Sequence, residues 1–558
     1  MTLSGRKRLT LASLALLVSA SCAKPPTRLE PGTPVAGELT NRGTSYSFRV
    51  ESGQYFNLSV NKTSTGVGLT IFKPDGRELR TVTCSHDGDL QIDDQGPASG
   101  AYTLRLSACA PDSERISYEV RLSIPEAPAT GSSERVAAER LAAEAEGLVA
   151  QYRADSRKTA LLKYQDSLLK WKALGDLRQQ SGAYINIAEL YRDLGDSTQA
   201  ANNIQIALSM AHESGATEVE SEALLTQATI GLLSGTPDKA LEAALGALTI
   251  ARATANPKTE EAAEYLLGRI HYETANYQKA TEALQESLRI SQTRGDRLGG
   301  AQATLYLAGV DFDQNKWPQA RDRGEQALAV FRSFADKKAE TWALTYLGHI
   351  YSQLNREQAM TLYEEARSLA RDSGDFFIEA SLLNGLAILH EDLGDNEAAI
   401  SFFKQAMEKS QELGDRIGVA YTVNYMGEVD FAIGDLPEAM NAFNQSLETF
   451  RSLSHTMMEA TVLQKMGILY ETTGNRTKAL DLLNESLKLS RKAQDKRLET
   501  WGKVGIAHVQ EAAGDIGGAL KNYEQALRFW EDTKDAKGQV TALYRIANCL
   551  RKDRKSVV

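Results

Sequence analysis

Ten alanines recur at nearly equal intervals along this chain: Ala160, Ala200, Ala240, Ala280, Ala320, Ala359, Ala399, Ala439, Ala479 and Ala519. Every interval is 40 residues except the 39 between Ala320 and Ala359. A fixed period of this length restricts the fold severely, because each unit has to stack on a near copy of itself. A second small residue keeps the same phase, at Ala188, Ala228, Gly268, Ala308, Gly348, Ala387, Gly427, Gly467, Ala507 and Ala547. A turn follows it, as in Leu194-Gly195-Asp196, Leu393-Gly394-Asp395 and Ile433-Gly434-Asp435. A third small position includes Ser167, Ala207, Ala247, Ser287, Ala327 and Ala366. Between these marks the apolar residues fall at helical spacing, as in Leu382, Leu383, Leu386 and Leu389. Each unit is therefore predicted to be helix A, a tight turn and helix B. Glycine accepts the left-handed turn conformation without steric cost. Small residues are required where two helix axes cross closely.

With a large residue between the two small positions of helix B (Tyr164, Ile204, Leu284, Tyr363, Phe403, Phe443, Leu483, Tyr523), the pattern resembles the tetratricopeptide repeat family. Ala244 and Gly324 depart from it, and the proline usual at the end of helix B is missing. The long period is similar to that of kinesin-light-chain-type repeats. The expected fold is mainly α, a tetratricopeptide-repeat solenoid of about ten helix-turn-helix units over residues 134–552.

At 558 residues the chain is too long for one core. Its net charge of −10, spread without blocks, argues against a nucleic-acid partner, which needs a concentrated basic face. Residues 1–22 read as an export signal: Arg6, Lys7 and Arg8, then an apolar stretch from Leu9 to Ala20 that is too short to span a bilayer. Ser19-Ala20-Ser21-Cys22 resembles a bacterial lipobox, which would lipidate Cys22 and anchor the protein to a membrane in the periplasm or cell envelope. Ser19 departs from the aliphatic residue preferred there, so ordinary signal cleavage stays open.

Residues 30–125 alternate in polarity, as in Tyr46–Val50, Phe56–Val60 and Tyr102–Leu106, with turns at Ser52-Gly53, Pro74-Asp75-Gly76 and Ser99-Gly100. Such spacing predicts a small antiparallel β-sandwich ahead of the solenoid. Gly53-Gln54, Phe72-Lys73-Pro74-Asp75-Gly76, Gly100-Ala101-Tyr102 and Tyr118-Glu119-Val120 are similar to the pre-peptidase C-terminal-like domain of secreted bacterial proteins. Cys84 and Cys109 fit a disulfide in an oxidising compartment, with two buried thiols as the alternative. The acidic run Asp87, Asp89, Asp93 and Asp94 reads as a solvated loop rather than a calcium site. Residues 126–133 read as a linker.

No nucleophile elbow, phosphate loop, dinucleotide fingerprint or zinc-ligand spacing occurs, so neither an enzyme nor a metal or cofactor is expected. The concave wall of helices A is the place for a partner. The third residue before the helix A small position includes Tyr265, Asn384, Asn424 and Gln464, and His349 follows one such small residue. Trp342, Tyr421 and Trp501 stand near the starts of their helices. Amide side chains can bond an extended backbone in both directions, and aromatics supply desolvated pockets. This mixture predicts a peptide or protein segment as ligand. The resemblance to kinesin light chains, whose grooves use asparagine at this position, points to Asn384 and Asn424.

After Ala547 a further turn and helix B are expected, yet residues 553–558 end the chain. They match the translation of a common sequencing adapter, and read as an artefactual or truncated end. The order of export signal, β-domain and long repeats resembles the N-terminal part of bacterial proteins ending in a CHAT domain, a caspase-like cysteine peptidase. The alternative to a binding scaffold is therefore the regulatory half of such a peptidase.

Overall fold

The computed structural model describes residues 26–39, 43–62, 67–85, 90–108, 116–125, 132–149, 151 and 154–556, which fall into two compact units. Cys22, Cys109 and the side chain of Cys84 lie outside the described residues, as do Asp87 and Asp89.

The first unit is a β-sandwich. Its strands are β1 (Thr27–Arg28), β2 (Val35–Leu39), β3 (Thr44–Val50), β4 (Tyr55–Lys62) and β5 (Val67–Phe72). They continue as β6 (Glu78–Ser85), β7 (Leu90–Gln95), β8 (Gly100–Ala108) and β9 (Ile116–Ser123). One sheet has the order β1-β3-β8-β5-β6 and the other β2-β9-β4-β7. All pairings are antiparallel except the short β1–β3 contact. Alternation of side chains sends Phe48, Val50, Phe56, Leu58, Val60, Leu104 and Val120 into one core. Among them the hydroxyls of Tyr46 and Tyr118 meet at 2.7 Å, which satisfies both inside that core. The acidic run departs from the solvated loop expected of it. Asp93 and Asp94 belong to β7, paired with Asn57 and Phe56, and Asp94 is buried with its Oδ1 accepting from Gln95 N. Pairing with β4 decided this, since sheet register overrides the low strand propensity of aspartate.

The second unit is the helical solenoid. It begins with α1 (Ser132–Val149), α2 (Ala154–Leu174), α3 (Leu177–Asp193), α4 (Ser197–Ser214), α5 (Thr217–Leu233) and α6 (Pro237–Ala253). Next come α7 (Pro257–Glu273), α8 (Tyr277–Arg294), α9 (Arg297–Asp313), α10 (Trp317–Ser333), α11 (Lys337–Leu354) and α12 (Arg356–Ser373). Then follow α13 (Phe376–Asp392), α14 (Asn396–Leu413), α15 (Arg416–Ile433) and α16 (Leu436–Ser452). The last are α17 (Thr456–Thr472), α18 (Arg476–Lys492), α19 (Lys496–Ala513), α20 (Ile516–Asp532) and α21 (Ala536–Ser556). Odd-numbered helices are helix A and even-numbered ones helix B. The first helix starts at Ser132, inside the expected linker, and α21 runs on through Ser556 because nothing in Asp553-Arg554-Lys555 breaks a helix.

Packing explains the period. All ten alanines of the opening series have no exposed surface. A Cβ added to Gly268 would stand 2.5 Å from Leu284 Cγ, and one on Gly348 2.7 Å from Tyr363 Cε1. The large residue of helix B thus sits in the notch left by the small residue of helix A, and neither can change alone. At the departure Gly324, a Cβ would meet Leu347 at 2.7 Å, so a leucine of the next helix A fills the gap.

The single short interval also has a physical cause. At the other A–B turns from α3 onward a left-handed residue separates the two helices, such as Gly195 (φ +78°) before the N-cap Asp196. Between α11 and α12 that residue is missing. Asn355, at φ −156° and ψ 104°, ends one helix and caps the next, accepting from Gln358 N at 3.2 Å.

Candidate binding lumen

A solenoid of stacked pairs rotates a little at each interface, and here the rotation brings the chain back onto itself. Met457 N, in the first turn of α17, donates to Gly235 O between α5 and α6 at 3.4 Å. Lys496 N, at the start of α19, donates to Thr274 O between α7 and α8 at 3.3 Å. Arg157 of α2 lies 4.8 Å over the ring of Phe377 in α13. Arg497 of α19 approaches Asp313 at the end of α9, 3.7 Å away. Two successive superhelical turns therefore meet along a seam. His455 is the wedge in it. Most repeats place Asp or Asn at this N-cap, whereas His455 accepts from Met458 N at 3.3 Å and is buried against Gly235. Burial lowers its pKa from 6.5 to about 4, so the ring is neutral at pH 7.

Inside the seam lies a lumen made of cavities of about 500, 780 and 370 Å³ that share walls. Side chains of every odd-numbered helix from α3 to α19 line it. Trp342 and Phe377 line the two larger spaces, while Tyr421 and Tyr425 face the 780 and 370 Å³ spaces. Trp342 is 39% exposed and stacks on Tyr346 with centroids 6.4 Å apart. Beneath them Tyr265, Tyr272, Tyr306 and Tyr346 form an edge-to-face cluster.

The charged lining is dense. Arg192 pairs with Asp193 at 2.8 Å, and Arg157 reaches the same carboxylate at 3.8 Å. Burial raises the pKa values of Glu273, Asp313, Asp415 and Asp495 above their ordinary range. A lumen that desolvates charge in this way strengthens any ion pair a ligand completes there.

The residues expected to grip a ligand separate into groups. Trp342, His349, Asn384 and Tyr421 line the lumen together. His349 bonds Tyr363 at 2.8 Å, and burial lowers its pKa to about 4. Asn384 bonds the hydroxyl of Thr422 in α15 at 3.1 Å. Tyr265 stands behind Arg269, packed on Tyr306. Asn424 and Gln464 are buried and are not lining residues of these three cavities. Trp501 packs edge-on against Trp530, centroids 5.2 Å apart, also away from them. Phe377, Asp415, His455 and Arg497 were not expected. They sit at or just before the starts of helices A, and face the lumen because the second superhelical turn passes over the first. No local pattern signals that. Arg269 stands one residue after its small position, the same phase that pointed to His349.

Comparison with known proteins agrees with the repeats. Family profiles described as tetratricopeptide repeat match residues 301–372 and 378–452, and another of the same description matches 185–257. A profile described as anaphase-promoting complex subunit 5 matches residues 432–501. The chain thus carries tetratricopeptide repeats.

A search of curated proteins found no match. Among solved structures, a Rap protein complexed with competence and sporulation factor is 13% identical, covering 67% of this chain and 98% of its own, at a TM-score of 0.43. The Rap conjugation gene regulator of plasmid pLS20 with the Phr* peptide is 15% identical, covering 60% and 94%, at 0.42. The apo quorum sensor NprR from B. thuringiensis is 14% identical, covering 63% and 99%, at 0.39. At such identities and scores, these likenesses add nothing to the repeat assignment.

Proposed function

We propose that this chain is an exported tetratricopeptide-repeat scaffold that encloses a peptide or protein segment in its lumen, without catalysis of its own. The observation that carries the reading is the convergence of nine helices A on one water-accessible space lined by Trp342, Phe377, Tyr421 and Tyr425, with the Asn384 amide beside them. Aromatic surface for desolvated contact and amides for backbone bonding are what an extended peptide requires. Export rests on Arg6, Lys7, Arg8 and the apolar stretch to Cys22, and on the likeness of the β-sandwich sequence to a domain of secreted proteins. The peptidase-regulator alternative rests on resemblance alone, and nothing among the described residues favours it.

Selection of a random phage-displayed peptide library on the full chain tests the binding. Selected peptides should lose at least tenfold in affinity on Trp342→Ala, roughly what removal of a central aromatic contact costs. Loss of the stacking on Tyr346 should lower stability by about 1 kcal/mol, so affinities are compared well below both melting transitions. Peptides that bind the variant as well as the parent place the site elsewhere and defeat the proposal.

A further inference from the structure

Arg269 of α7 is set apart from the other arginines of the lumen. Arg157, Arg192 and Arg497 each have a carboxylate within 4.0 Å, at Asp193 for the first two and Asp313 for the third. Arg269 lines the 780 Å³ cavity and, among the described residues, has no carboxylate at that distance. Its Nε is buried and lacks a hydrogen-bond partner. The guanidinium lies over two rings, 5.6 Å from the centroid of Tyr265 and 5.1 Å from that of Tyr306. Its charged surroundings are Arg192, which adds positive potential, and Glu273, one helical turn further on. Glu273 is itself pushed toward its neutral form by burial.

A guanidinium cannot shed its proton, so a half-buried one draws an anion to itself. Contact with the two tyrosines restricts the side chain in advance, which lowers the entropy lost on pairing with a carboxylate. Trp342, Tyr421 and Tyr425 line the same space and offer apolar surface beside it.

We infer that Arg269 is the anchor for a carboxylate of the bound peptide, with a bulky apolar residue of that peptide lying next to it against the lumen aromatics. The inference rests on the lumen being a peptide site. The carboxylate comes from an Asp or Glu side chain or from the peptide's C-terminus.

The test uses the peptides selected above on the full chain, synthesised in acid form, with Asp or Glu replaced by the amide, and with an amidated C-terminus. Arg269→Gln keeps the stem and some donors but removes the charge. It should weaken the acid form roughly ten- to a hundredfold, the range for a charge-assisted pair. Affinity for the matching amide peptide should stay within about twofold, which also shows that the variant is folded. Arg269→Lys should recover part of the loss. Whichever amide replacement abolishes the difference between parent and variant names the source of the carboxylate. Equal weakening of acid and amide forms would overturn the inference, as would selected peptides that depend on Trp342 and carry no required carboxylate. Both results leave the lumen reading intact. Peptides indifferent to Trp342→Ala remove that reading and this inference together.

Discussion

Replacing Gly235 with alanine separates the cost of a turn from the cost of closing the superhelix. Gly235 has φ +64°, and an added Cβ would stand 2.1 Å from His455 Nδ1 and 2.3 Å from Cε1. Gly394 holds the equivalent turn at φ +79° with nothing within 4 Å of an added Cβ. Both substitutions force an L-residue into the left-handed region, at about 1–2 kcal/mol, partly offset by about 0.4–1 kcal/mol from stiffening the unfolded chain. Gly394→Ala should therefore destabilise by about 0–1.6 kcal/mol. Gly235→Ala meets a ring that is 4% exposed and caps α17 through Met458 N. Relieving the overlap requires loss of that cap, about 1 kcal/mol, or opening of the seam at Met457 N–Gly235 O. The difference between the variants is thus expected to be about 1–2 kcal/mol. Urea titration gives the stabilities, and hydrogen exchange locates the change. In Gly235→Ala, amides in the first turn of α17 should exchange faster, while Gly394→Ala leaves them unaltered. Equal stabilities and equal exchange in the two variants would refute closure of the superhelix at this seam.

Three further outcomes are expected. His455 has a folded pKa below its unfolded value, so the folded state binds fewer protons, and stability falls as pH drops from 6.5 toward about 4. His455→Asn keeps a cap and should remove up to about 3 kcal/mol of that acid loss, measured as urea midpoints at both ends of the window. His349 and His508 are shifted the same way and keep their shares of the acid loss. Asn384→Ala should weaken peptide binding and also lower stability by about 1 kcal/mol, because its amide ties α13 to Thr422 of α15. Titration and melting of one preparation separate the two effects. Expression of the full chain in a bacterium with labelled palmitate should label it, and Cys22→Ala should abolish the label; an unlabelled parent chain would indicate ordinary signal cleavage.

The paired helices, their crossing points and their turns were legible one residue at a time. Ala200, Gly268 and Leu284 announce a notch and the side chain that fills it, and Leu194-Gly195-Asp196 announces a left-handed stop followed by a cap. These are contacts within a single repeat, so a local pattern carries them. Even the 39-residue interval was visible, although its meaning waited for Asn355 to be seen serving two helices. The candidate site was legible only in part. Helix phase led to Trp342, Asn384 and Tyr421, but it also led to Asn424, Gln464 and Trp501, which the structure leaves out of the three lumen cavities.

The sequence by itself determined the unit and its order. The tertiary structure alone decided the pitch at which the units wind, and with it the seam at His455, the crossing of Arg157 over Phe377 and the contents of the lumen. The reason is cumulative geometry. The rotation at each interface, set by how particular side chains pack, is invisible in any one repeat. Summed over the eleven helices in between, it brings the turn after α5 against the start of α17 and the turn after α7 against the start of α19.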